Sequence, residues 1–291
     1  MHLTGSVIDG FRIGSRLGGG AMGEVYEAFP DPAAPGNKVA IKFLSSDLLD
    51  DEEFVARFER EMRLMQSLEH PNIIPMIGYG AGTDYLYITM KLIDGVSLAT
   101  LMRQRRFSPI ATWNILRPLS EALEYGHSEG VVHRDVKPGN IMLEQHADGP
   151  HLYLMDYGMS KKPGMDVTLT EKGISVGTPE YMSPEAAMGR PVDHRADVYS
   201  LAVVVYELLL GVLPFDLGEP HLTALAQVRD APPLPSSRNP DFPRPLEEVI
   251  LTSLAKSAAD RHASVTALAQ EYYEAAASLS DEEQRTQYTL T

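Results

Sequence analysis

Two short segments near the start of the chain carry residues that are suited to binding phosphate groups. Residues 18–25 read GGGAMGEV, and three of the glycines are spaced so that backbone amides can approach phosphate oxygens without an intervening side chain. With 23 glycines in 291 residues this spacing arises by chance about 0.14 times, so the motif alone is weak. A dinucleotide-binding turn would open a helix, but a second strand-like segment follows, which favours a glycine-rich hairpin.

Lys42 follows in the sequence Val39-Ala40-Ile41-Lys42, on the third predicted strand. A lysine fixed in this sequence pattern can pair with nucleotide phosphates, whereas an exposed strand lysine is the alternative interpretation. Glu61 lies within a predicted helix, between Phe58 and Met65 at helical spacing, and its carboxylate could meet Lys42 across the sheet. A solvent-facing helix glutamate is the commoner interpretation of Glu61 taken alone.

The strongest signal is the octapeptide His133-Arg134-Asp135-Val136-Lys137-Pro138-Gly139-Asn140. It matches the pattern H-R-D-L-x-x-x-N with only the leucine replaced, and so many fixed positions exclude coincidence. Asp156-Tyr157-Gly158 begins sixteen residues after Asn140, and Ser183-Pro184-Glu185 comes later, in the places of D-F-G and A-P-E. The order of the motifs along the chain is the expected one.

These motifs together resemble the eukaryotic-type (Hanks-type) protein kinases over residues 11–277. The sequence is most similar to bacterial serine/threonine kinases, judging from residues 167–170 (VTLT) and the proline-rich insert before Leu246. The resemblance implies an α+β, bilobal fold, with a five-stranded antiparallel sheet plus one helix in the N-lobe, a mainly helical C-lobe and ATP bound between them. It also implies transfer of the γ-phosphoryl group of ATP to serine or threonine hydroxyls, and autophosphorylation of the activation loop.

The resemblance assigns roles to individual residues. Asp135 would orient and deprotonate the acceptor hydroxyl, Lys137 would steady the transferred group, and Lys42 would hold phosphates and pair with Glu61. Asn140 and Asp156 would bind Mg²⁺, for which Mn²⁺ can substitute. The nucleotide would contact the glycine loop, the segment after a gatekeeper methionine and a sandwich of apolar side chains: Leu17, Gly18, Gly19, Gly20, Gly23, Val25, Ala40, Lys42, Met90, Lys91, Leu92, Ile93, Met142 and Met155.

Other residues resemble regulatory and structural positions of the family. Arg134 marks kinases in which an arginine grips a phosphorylated activation loop, since a phosphate adds charge and acceptor oxygens. Lys137 with Thr178 resembles the serine/threonine branch. The candidate phosphorylation sites are Thr168, Thr170 and Ser175. Glu185 and Arg261 resemble the structural ion pair of the family. Asp197 resembles the buried acid that braces the catalytic loop, which here is residues 133–140. Tyr157 replaces the usual phenylalanine and puts a hydroxyl where a ring normally packs under the helix of Glu61, which predicts altered regulation and unchanged chemistry.

The elements that must position these residues follow from periodicity. Strands are predicted at residues 11–17, 24–29, 38–44, 73–78 and 85–92, with a helix at 50–68. After Asp94-Gly95 the pattern is mainly helical, at residues 98–104, 108–129, 193–210, 222–229, 246–255 and 264–277. We therefore expect an N-terminal extension at 1–10, an N-lobe at 11–94, a C-lobe at 95–277 and a polar tail or linker at 278–291. Six prolines at 231–245 predict a rigid loop, with a polyproline ligand as the alternative.

Composition and hydropathy limit the ligands, the metal sites and the location that we expect for this protein. Forty acidic and 25 basic residues give a formal charge of −15, which argues against duplex nucleic acid as the main ligand. The absence of cysteine excludes disulfides and thiolate metal sites. The most apolar stretch, residues 198–215, is interrupted by polar residues and predicts a buried helix rather than a membrane span. Without a visible signal peptide, we expect a cytoplasmic protein or the intracellular domain of a longer membrane-anchored one, with protein substrates and a homodimer for phosphorylation in trans.

Two alternatives stay open at this point. A pseudokinase scaffold would bind partners without transferring phosphate, but such proteins usually lose a catalytic residue, and all five of the residues concerned are present: Lys42, Glu61, Asp135, Asn140 and Asp156. A small-molecule phosphotransferase would share the fold. The segment 183–185, the long activation loop and Arg261 favour protein substrates, because they resemble the parts that build a platform for an extended peptide.

Overall fold

The computed structural model describes residues 3–20, 23–30, 37–44, 52–82, 85–157 and 178–288. The chain divides into two compact units, Met1–Asp94 and Gly95–Thr291. This division falls at the point where the sequence pattern changes from strands to helices.

The first unit contains an antiparallel sheet and one helix. Its strands, in chain order, are β1 (Val7–Ile8), β2 (Phe11–Gly20), β3 (Gly23–Pro30), β4 (Val39–Leu44), β5 (Met76–Ala81) and β6 (Leu86–Lys91), and helix α1 spans Glu52–Gln66. The order across the sheet is β1-β2-β3-β4-β6-β5.

The antiparallel sheet is confirmed, but it has six strands where five were expected. The additional strand is β1, in which Val7 pairs with Arg12 and Ile8 with Phe11. Ile8 is buried in the sheet's hydrophobic cluster. The pairing of β1 and the burial of Ile8 therefore place part of the expected N-terminal extension, residues 1–10, in the sheet.

One face of the sheet carries an aromatic core. Successive side chains of a strand point to opposite faces, so Tyr26, Ile41, Phe43 and Tyr87 lie together on one face and are all buried. The ring of Phe43 lies 6.0 Å from that of Tyr26 in an edge-to-face arrangement and 5.9 Å from that of Tyr87. The opposite face is thereby left to the candidate nucleotide-binding residues.

The second unit is mainly helical and has a small antiparallel sheet, with strands β7 (Gly95–Ser97), β8 (Ile141–His146) and β9 (Gly149–Leu154) in that order. Its helices are α2 (Leu98–Gln104), α3 (Pro109–Ser128), α4 (Pro184–Ala187), α5 (Arg195–Leu210), α6 (Pro220–Arg229), α7 (Pro235–Arg238), α8 (Arg244–Ser253), α9 (Val265–Ala277) and α10 (Asp281–Arg285). Helix α7 lies within the proline-rich segment and begins at the buried Pro235.

Helix α5 forms the centre of this unit. Its sequence is apolar on all sides, and 14 of its 16 residues are buried, which confirms the predicted buried helix. The helix ends at Gly211, whose φ of 72° is a left-handed C-cap conformation that glycine adopts without steric cost. No helix in the described part of the chain is long and apolar enough to span a membrane.

The C-terminal segment, expected to be a polar tail, contains the helix α10. Ser280 and Glu283 form a reciprocal capping box that starts α10. Beyond the helix, Tyr288 is buried, its ring lies 5.3 Å from that of Phe242, and its hydroxyl donates to the Glu283 carbonyl. The buried side chains of Leu279 and Tyr288 therefore anchor a segment that is otherwise mainly polar.

Lys256 is a partly buried cation in the core of the second unit. Its ammonium donates to the Tyr199 hydroxyl (3.1 Å) and the Gln227 carbonyl (2.8 Å), and it lies over the ring of Phe215. Burial lowers the pKa of Lys256 from 10.5 to about 8; Asp230 opposes this shift and Arg261 adds to it.

This lowered pKa predicts a pH-dependent stability. Between about pH 8 and pH 10 the unfolded chain binds more protons at Lys256 than the folded chain does, so the unfolding free energy should rise with pH. In a Lys256→Met variant this rise should be smaller. Urea unfolding at several pH values, followed by the fluorescence of Trp113, the only tryptophan, measures both slopes. Equal slopes in the two proteins would contradict the prediction.

Candidate active site

The glycine-rich segment forms the hairpin between β2 and β3, as the sequence indicated. Gly18 pairs with Val25 and Gly20 with Gly23. A side chain at Gly23 is excluded, because its Cβ would lie 1.9 Å from the carbonyl oxygen of Phe43 and its φ is 141°. At Gly18, by contrast, no described atom lies within 4 Å of a Cβ position, so the backbone there is open to approach.

The face of the sheet opposite the aromatic core collects the candidate nucleotide-binding side chains. Val25 is paired with Lys42, and Ala40 with Met90, so these four residues share one face. Lys42, Ala40 and Met90 are buried, whereas Leu17 on β2 is 51% exposed. The amide of Lys91, at the end of β6, donates to the Pro75 carbonyl. Glu61 is half-buried on α1, and its pairing with Lys42 stays a prediction.

The second unit brings the candidate catalytic side chains together. Oδ2 of Asp135 lies 2.8 Å from Nζ of Lys137, with which it forms an ion pair. The same oxygen accepts a 2.9 Å hydrogen bond from the side-chain amide of Asn140. The same amide nitrogen also donates to the Asp135 carbonyl (2.8 Å), and Lys137 donates to the Thr178 hydroxyl (2.9 Å). Asp135 is thus a partly exposed carboxylate held by two donors, in the arrangement that a positioned proton acceptor needs.

His133 is a packing residue of the second unit. It is fully buried, its Nε2 lies 2.8 Å from the Met155 carbonyl, and its Nδ1 accepts from the Asp135 amide at 3.2 Å. A carbonyl only accepts and an amide only donates, so the ring carries its proton on Nε2. Both ring nitrogens are therefore occupied and neither can act as a base.

Asp197 holds the backbone of the catalytic loop from the first turn of α5. Its fully buried carboxylate accepts from the amides of His133 and Arg134, both at 2.8 Å, and lies 2.7 Å from Nε2 of His127. Arg134 has a φ of 66°, a rare conformation for a residue with a side chain, and the bond to Asp197 holds it there. His127 was not recognised in the sequence, because nothing local marks a histidine near the end of α3 as a partner of Asp197.

Tyr157 is anchored within the second unit. Its hydroxyl donates to the Ala122 carbonyl of α3 at 2.6 Å, and its ring packs edge-on against His133 at 4.7 Å. Gly126 makes room, since a Cβ there would lie 2.7 Å from the Tyr157 ring. Burial raises the pKa of the hydroxyl, so it remains a donor. The additional hydroxyl, compared with phenylalanine, therefore ties the residue after Asp156 to α3.

Tyr157→Phe is expected to lower the unfolding free energy of the second unit by about 1 kcal/mol, because it deletes one buried hydrogen bond without creating a cavity. We expect phosphotransfer to change less than twofold. Urea unfolding followed by Trp113 fluorescence measures the stability. Tyr273→Phe, at a residue that is 49% exposed, is the control. Because the Tyr273 ring lies 5.0 Å from that of Trp113, unfolding of both variants is also followed by far-UV circular dichroism. Equal stability of the two variants would show that the hydroxyl contributes nothing.

Asn140 and Asp156 offer oxygen donors of the type that Mg²⁺ prefers. Because the amide nitrogen of Asn140 is committed to Asp135, its amide oxygen is the atom available for an ion. Asp156 has a φ of 59°, a strained backbone of the kind found at functional sites. Among the described residues no cluster of three or more His, Cys, Asp or Glu side chains could hold a metal ion.

Arg261 and Glu185 form a buried, bidentate ion pair. Nη1 and Nη2 of Arg261 each lie 2.7 Å from a Glu185 carboxylate oxygen. The other three guanidinium protons are directed at the carbonyls of Ala255, Arg195 and Lys256. All five donors of Arg261 are thus satisfied. Burial alone would raise the pKa of Glu185, but the hydrogen bonds and charge of Arg261 bring it below its ordinary value.

The remaining candidates divide between described and undescribed parts of the chain. Met142 and Met155 are half-buried on and after the small sheet, and Thr178 is half-buried beside Lys137. The three candidate phosphorylation sites, Thr168, Thr170 and Ser175, lie outside the described residues.

Comparison by sequence finds serine/threonine-protein kinases of bacteria. The chain is 39% identical to the serine/threonine-protein kinase Pkn1 of Myxococcus xanthus, over 91% of this chain and 38% of Pkn1. It is 33% identical to PknH of Mycobacterium tuberculosis, over 97% of this chain and 44% of PknH. The chain therefore spans less than half the length of these two relatives.

Solved structures agree over nearly the whole chain. The crystal structure of the PknI kinase domain of Mycobacterium tuberculosis matches with a TM-score of 0.75 and 30% identity, covering 94% of this chain and 98% of that domain. The family described as "Protein kinase domain" matches residues 11–273. The chain therefore belongs to the protein kinase domain family, and its relatives place it among the Hanks-type serine/threonine kinases of bacteria.

Proposed function

We propose that this domain is an ATP-dependent protein serine/threonine kinase. The observation that carries the proposal is the Asp135 carboxylate, held by the side chains of Lys137 and Asn140 and set beside Thr178. Phosphoryl transfer needs a positioned proton acceptor and neutralisation of developing charge rather than covalent chemistry by the protein. These side chains supply both requirements.

In the proposed reaction the hydroxyl of a substrate serine or threonine donates a hydrogen bond to the Asp135 carboxylate. The hydroxyl oxygen forms a bond to the γ-phosphorus while the bond from that phosphorus to the β–γ bridging oxygen breaks, and the hydroxyl proton passes to Asp135. The products are the phosphorylated side chain and ADP. Lys137, fixed between Asp135 and Thr178, places a positive charge where the transferred oxygens would pass.

The first unit would bind the nucleotide. Lys42 would pair with the α and β phosphates and with Glu61, and the hairpin glycines Gly18, Gly19, Gly20 and Gly23 would cover the phosphates. Met90, Ala40 and Val25 share the face of Lys42, which suits a flat apolar ring. Leu17, Lys91, Leu92, Ile93, Met142 and Met155 are the further proposed contacts.

Asn140 and Asp156 would hold Mg²⁺, with Mn²⁺ as a substitute. The ion, when bound, neutralises charge on the phosphates. The chain's own part is to fix the amide oxygen of Asn140 through the two hydrogen bonds from its amide nitrogen.

Regulation by phosphorylation belongs to the same proposal. Thr168, Thr170 and Ser175 are the proposed acceptors, ATP is the phosphoryl donor, and a second copy of this chain is the proposed kinase acting in trans. Arg134 is the proposed partner of the added phosphate. The proposed location is the cytoplasm, where ATP and protein substrates are present, either as a cytoplasmic protein or as the intracellular domain of a longer membrane-anchored one. The chain covers 38% of Pkn1 and 44% of PknH. The activity of a longer protein that contains this domain is therefore also part of the proposal.

Intact mass before and after incubation with ATP and Mg²⁺ tests the activity. Starting from dephosphorylated protein, we expect added phosphate in the unmodified domain and none in an Asp156→Asn variant, with fragmentation placing it on Thr168 or Thr170. A mixture with a catalytically inactive, mass-tagged copy distinguishes transfer in trans. No phosphate on the domain or on added protein substrates, despite bound ATP, would favour the scaffold alternative.

A further inference from the structure

The second unit contains a pocket of about 750 Å³ beside the catalytic loop. Part of its wall is formed by Lys137 and Thr178, whose side chains are hydrogen-bonded to each other. Since Lys137 also contacts the Asp135 carboxylate at 2.8 Å, the pocket begins next to the proposed proton acceptor. Its size is sufficient for one or more side chains of a bound peptide.

Three arginines at and after the end of α2 line the same pocket: Arg103, Arg105 and Arg106. All three are exposed, and no ion pair joins any of them to a carboxylate of the described residues. An arginine presents five N–H donors in a planar fork that matches carboxylate and phosphate groups. A group of three such forks, none paired with a carboxylate of the described residues, suits a negatively charged ligand.

Each guanidinium group is oriented by a contact that leaves most of its donors unused. Arg103 donates one hydrogen bond to the Thr100 hydroxyl at 3.0 Å, and Arg106 donates one to the Met102 carbonyl at 3.0 Å. Arg105 stacks over the ring of Phe107 at 4.9 Å. These contacts reduce the conformational entropy that the side chains would lose on binding a ligand.

Gly211 contributes to the position of Arg106. It is the left-handed C-cap of α5 and lines the pocket. A Cβ at Gly211 would lie 2.6 Å from Nε of Arg106, so the missing side chain gives the guanidinium its place. Gly211 therefore both ends the buried helix α5 and leaves room for the guanidinium group of Arg106 in the pocket wall.

Glu207 is the acidic residue that lines the pocket, and its carboxylate accepts a hydrogen bond from the Tyr181 hydroxyl. Lys137 is already paired with Asp135. Three arginines against one glutamate leave a surplus of positive charge, in a chain whose formal charge is −15. At physiological ionic strength dissolved salt screens charges beyond roughly 8 Å, so the charges that line the pocket affect a bound ligand more than the net charge of the chain does.

We propose that this arginine pocket selects protein substrates by binding a carboxylate or phosphate group on a residue near the acceptor serine or threonine. The inference rests on the proposed kinase function and names its substrate class. An extended peptide advances roughly 3.3 Å per residue, so five positions on either side of the acceptor extend to roughly 16 Å from it. If the bound group is a phosphate, the domain acts on substrates that have already been phosphorylated once. If the bound group is a carboxylate, no earlier phosphorylation is needed.

Peptides with one threonine and a single varied position test the pocket. At each position within five residues of the threonine the peptide carries Asp, phosphoserine, Asn or Lys. Anisotropy of labelled peptides without ATP gives Kd, and phosphate transfer with Mg²⁺-ATP gives kcat/KM. The proteins are the unmodified domain, the variant Arg103→Gln/Arg105→Gln/Arg106→Gln, and a control, Arg117→Gln/Arg229→Gln/Arg285→Gln, which removes equal charge from exposed residues outside the pocket.

Peptides that carry Asp or phosphoserine at one or two of the varied positions should bind the domain about tenfold more tightly than peptides that carry Asn there. The pocket variant should reduce this preference to within about twofold, and the control should keep it. A tighter phosphoserine than Asp peptide identifies phosphate as the source. Single variants of Arg103 and Arg105, checked by Trp113 fluorescence, replace the triple variant if it does not fold.

Preference for Lys, equal binding of Asp and Asn at every position, or a preference that survives in the pocket variant would overturn the inference. The proposed function is read separately, from phosphate transfer to the Asn peptide. Transfer without any anionic preference rejects the pocket and keeps the kinase. Anionic preference in binding without transfer keeps the pocket and rejects the kinase.

Discussion

Asp135→Asn is expected to lower kcat at least 100-fold and to leave the Kd for ATP within about twofold. The change replaces a carboxylate by an amide of the same shape, so a hydroxyl proton can no longer be taken up there. The oxygen of the introduced amide can still accept from Lys137 or Asn140, so the loop is expected to keep its backbone course. The effect should therefore fall on the reaction step.

Steady-state kinetics on one peptide substrate, together with ATP binding by fluorescence titration, separates these two quantities. Asp148→Asn is the matched control, because it makes the same substitution at an exposed residue of the turn between β8 and β9. We expect the control to retain the kcat of the unmodified domain. A kcat for Asp135→Asn within tenfold of the unmodified value would remove Asp135 from its proposed role.

Glu185→Ala is expected to lower the unfolding free energy of the second unit by about 3–5 kcal/mol. The loss is large because the Arg261 side chain is 0% exposed and its charge would stay buried with two donors unpaired. The pKa of Glu185 is below its ordinary value in the folded chain. This contribution to stability is therefore present above pH 4.5 and is lost as the pH falls through the lowered pKa.

A double-mutant cycle isolates the ion pair. Glu185→Leu and Arg261→Met together should cost less than the sum of the two single variants, since the double variant leaves neither charge without its partner. Urea unfolding followed by Trp113 fluorescence reports on the second unit. Additive single-variant effects would show that the two residues contribute independently, despite their 2.7 Å contacts.

Elements with a complete local pattern could be predicted from the sequence alone. Residues 98–104 were predicted as a helix and form α2 over the same residues. Its boundaries are local: Ser97 caps the first turn by accepting from the Thr100 amide. Similar capping by Ser108 and Ser264 fixes the starts of α3 and α9 within one residue of the predicted positions.

Strand positions were less predictable, because pairing is not visible in one segment. The fourth predicted strand, at residues 73–78, is observed as β5 at Met76–Ala81. Ile73 supplied the apolar signal, yet its amide closes a turn onto the His70 carbonyl. The hairpin of β8 and β9 was missed altogether, although Asp148-Gly149 at its tip is a recognised turn sequence, because its outer residues are polar.

The site shows the same division between local and distant information. Asp135, Lys137 and Asn140 lie within six positions, and their contacts are short-range. Asp197 lies more than 60 residues from the amides that it binds, and only the family resemblance indicated it. The arginine pocket was not foreseen, because α2, the catalytic loop and Gly211 meet there only after folding.

The burial of α5 ties the chemistry of the loop to the integrity of the core. Asp197 belongs to the first turn of a helix that has 14 of its 16 residues buried, so this carboxylate cannot move without disrupting the packing around the helix. A catalytic loop attached to a flexible element would lose its alignment on warming well before the protein melted. In this domain, heat inactivation and melting of the second unit should be one event, with no intermediate temperature range of folded but misaligned protein.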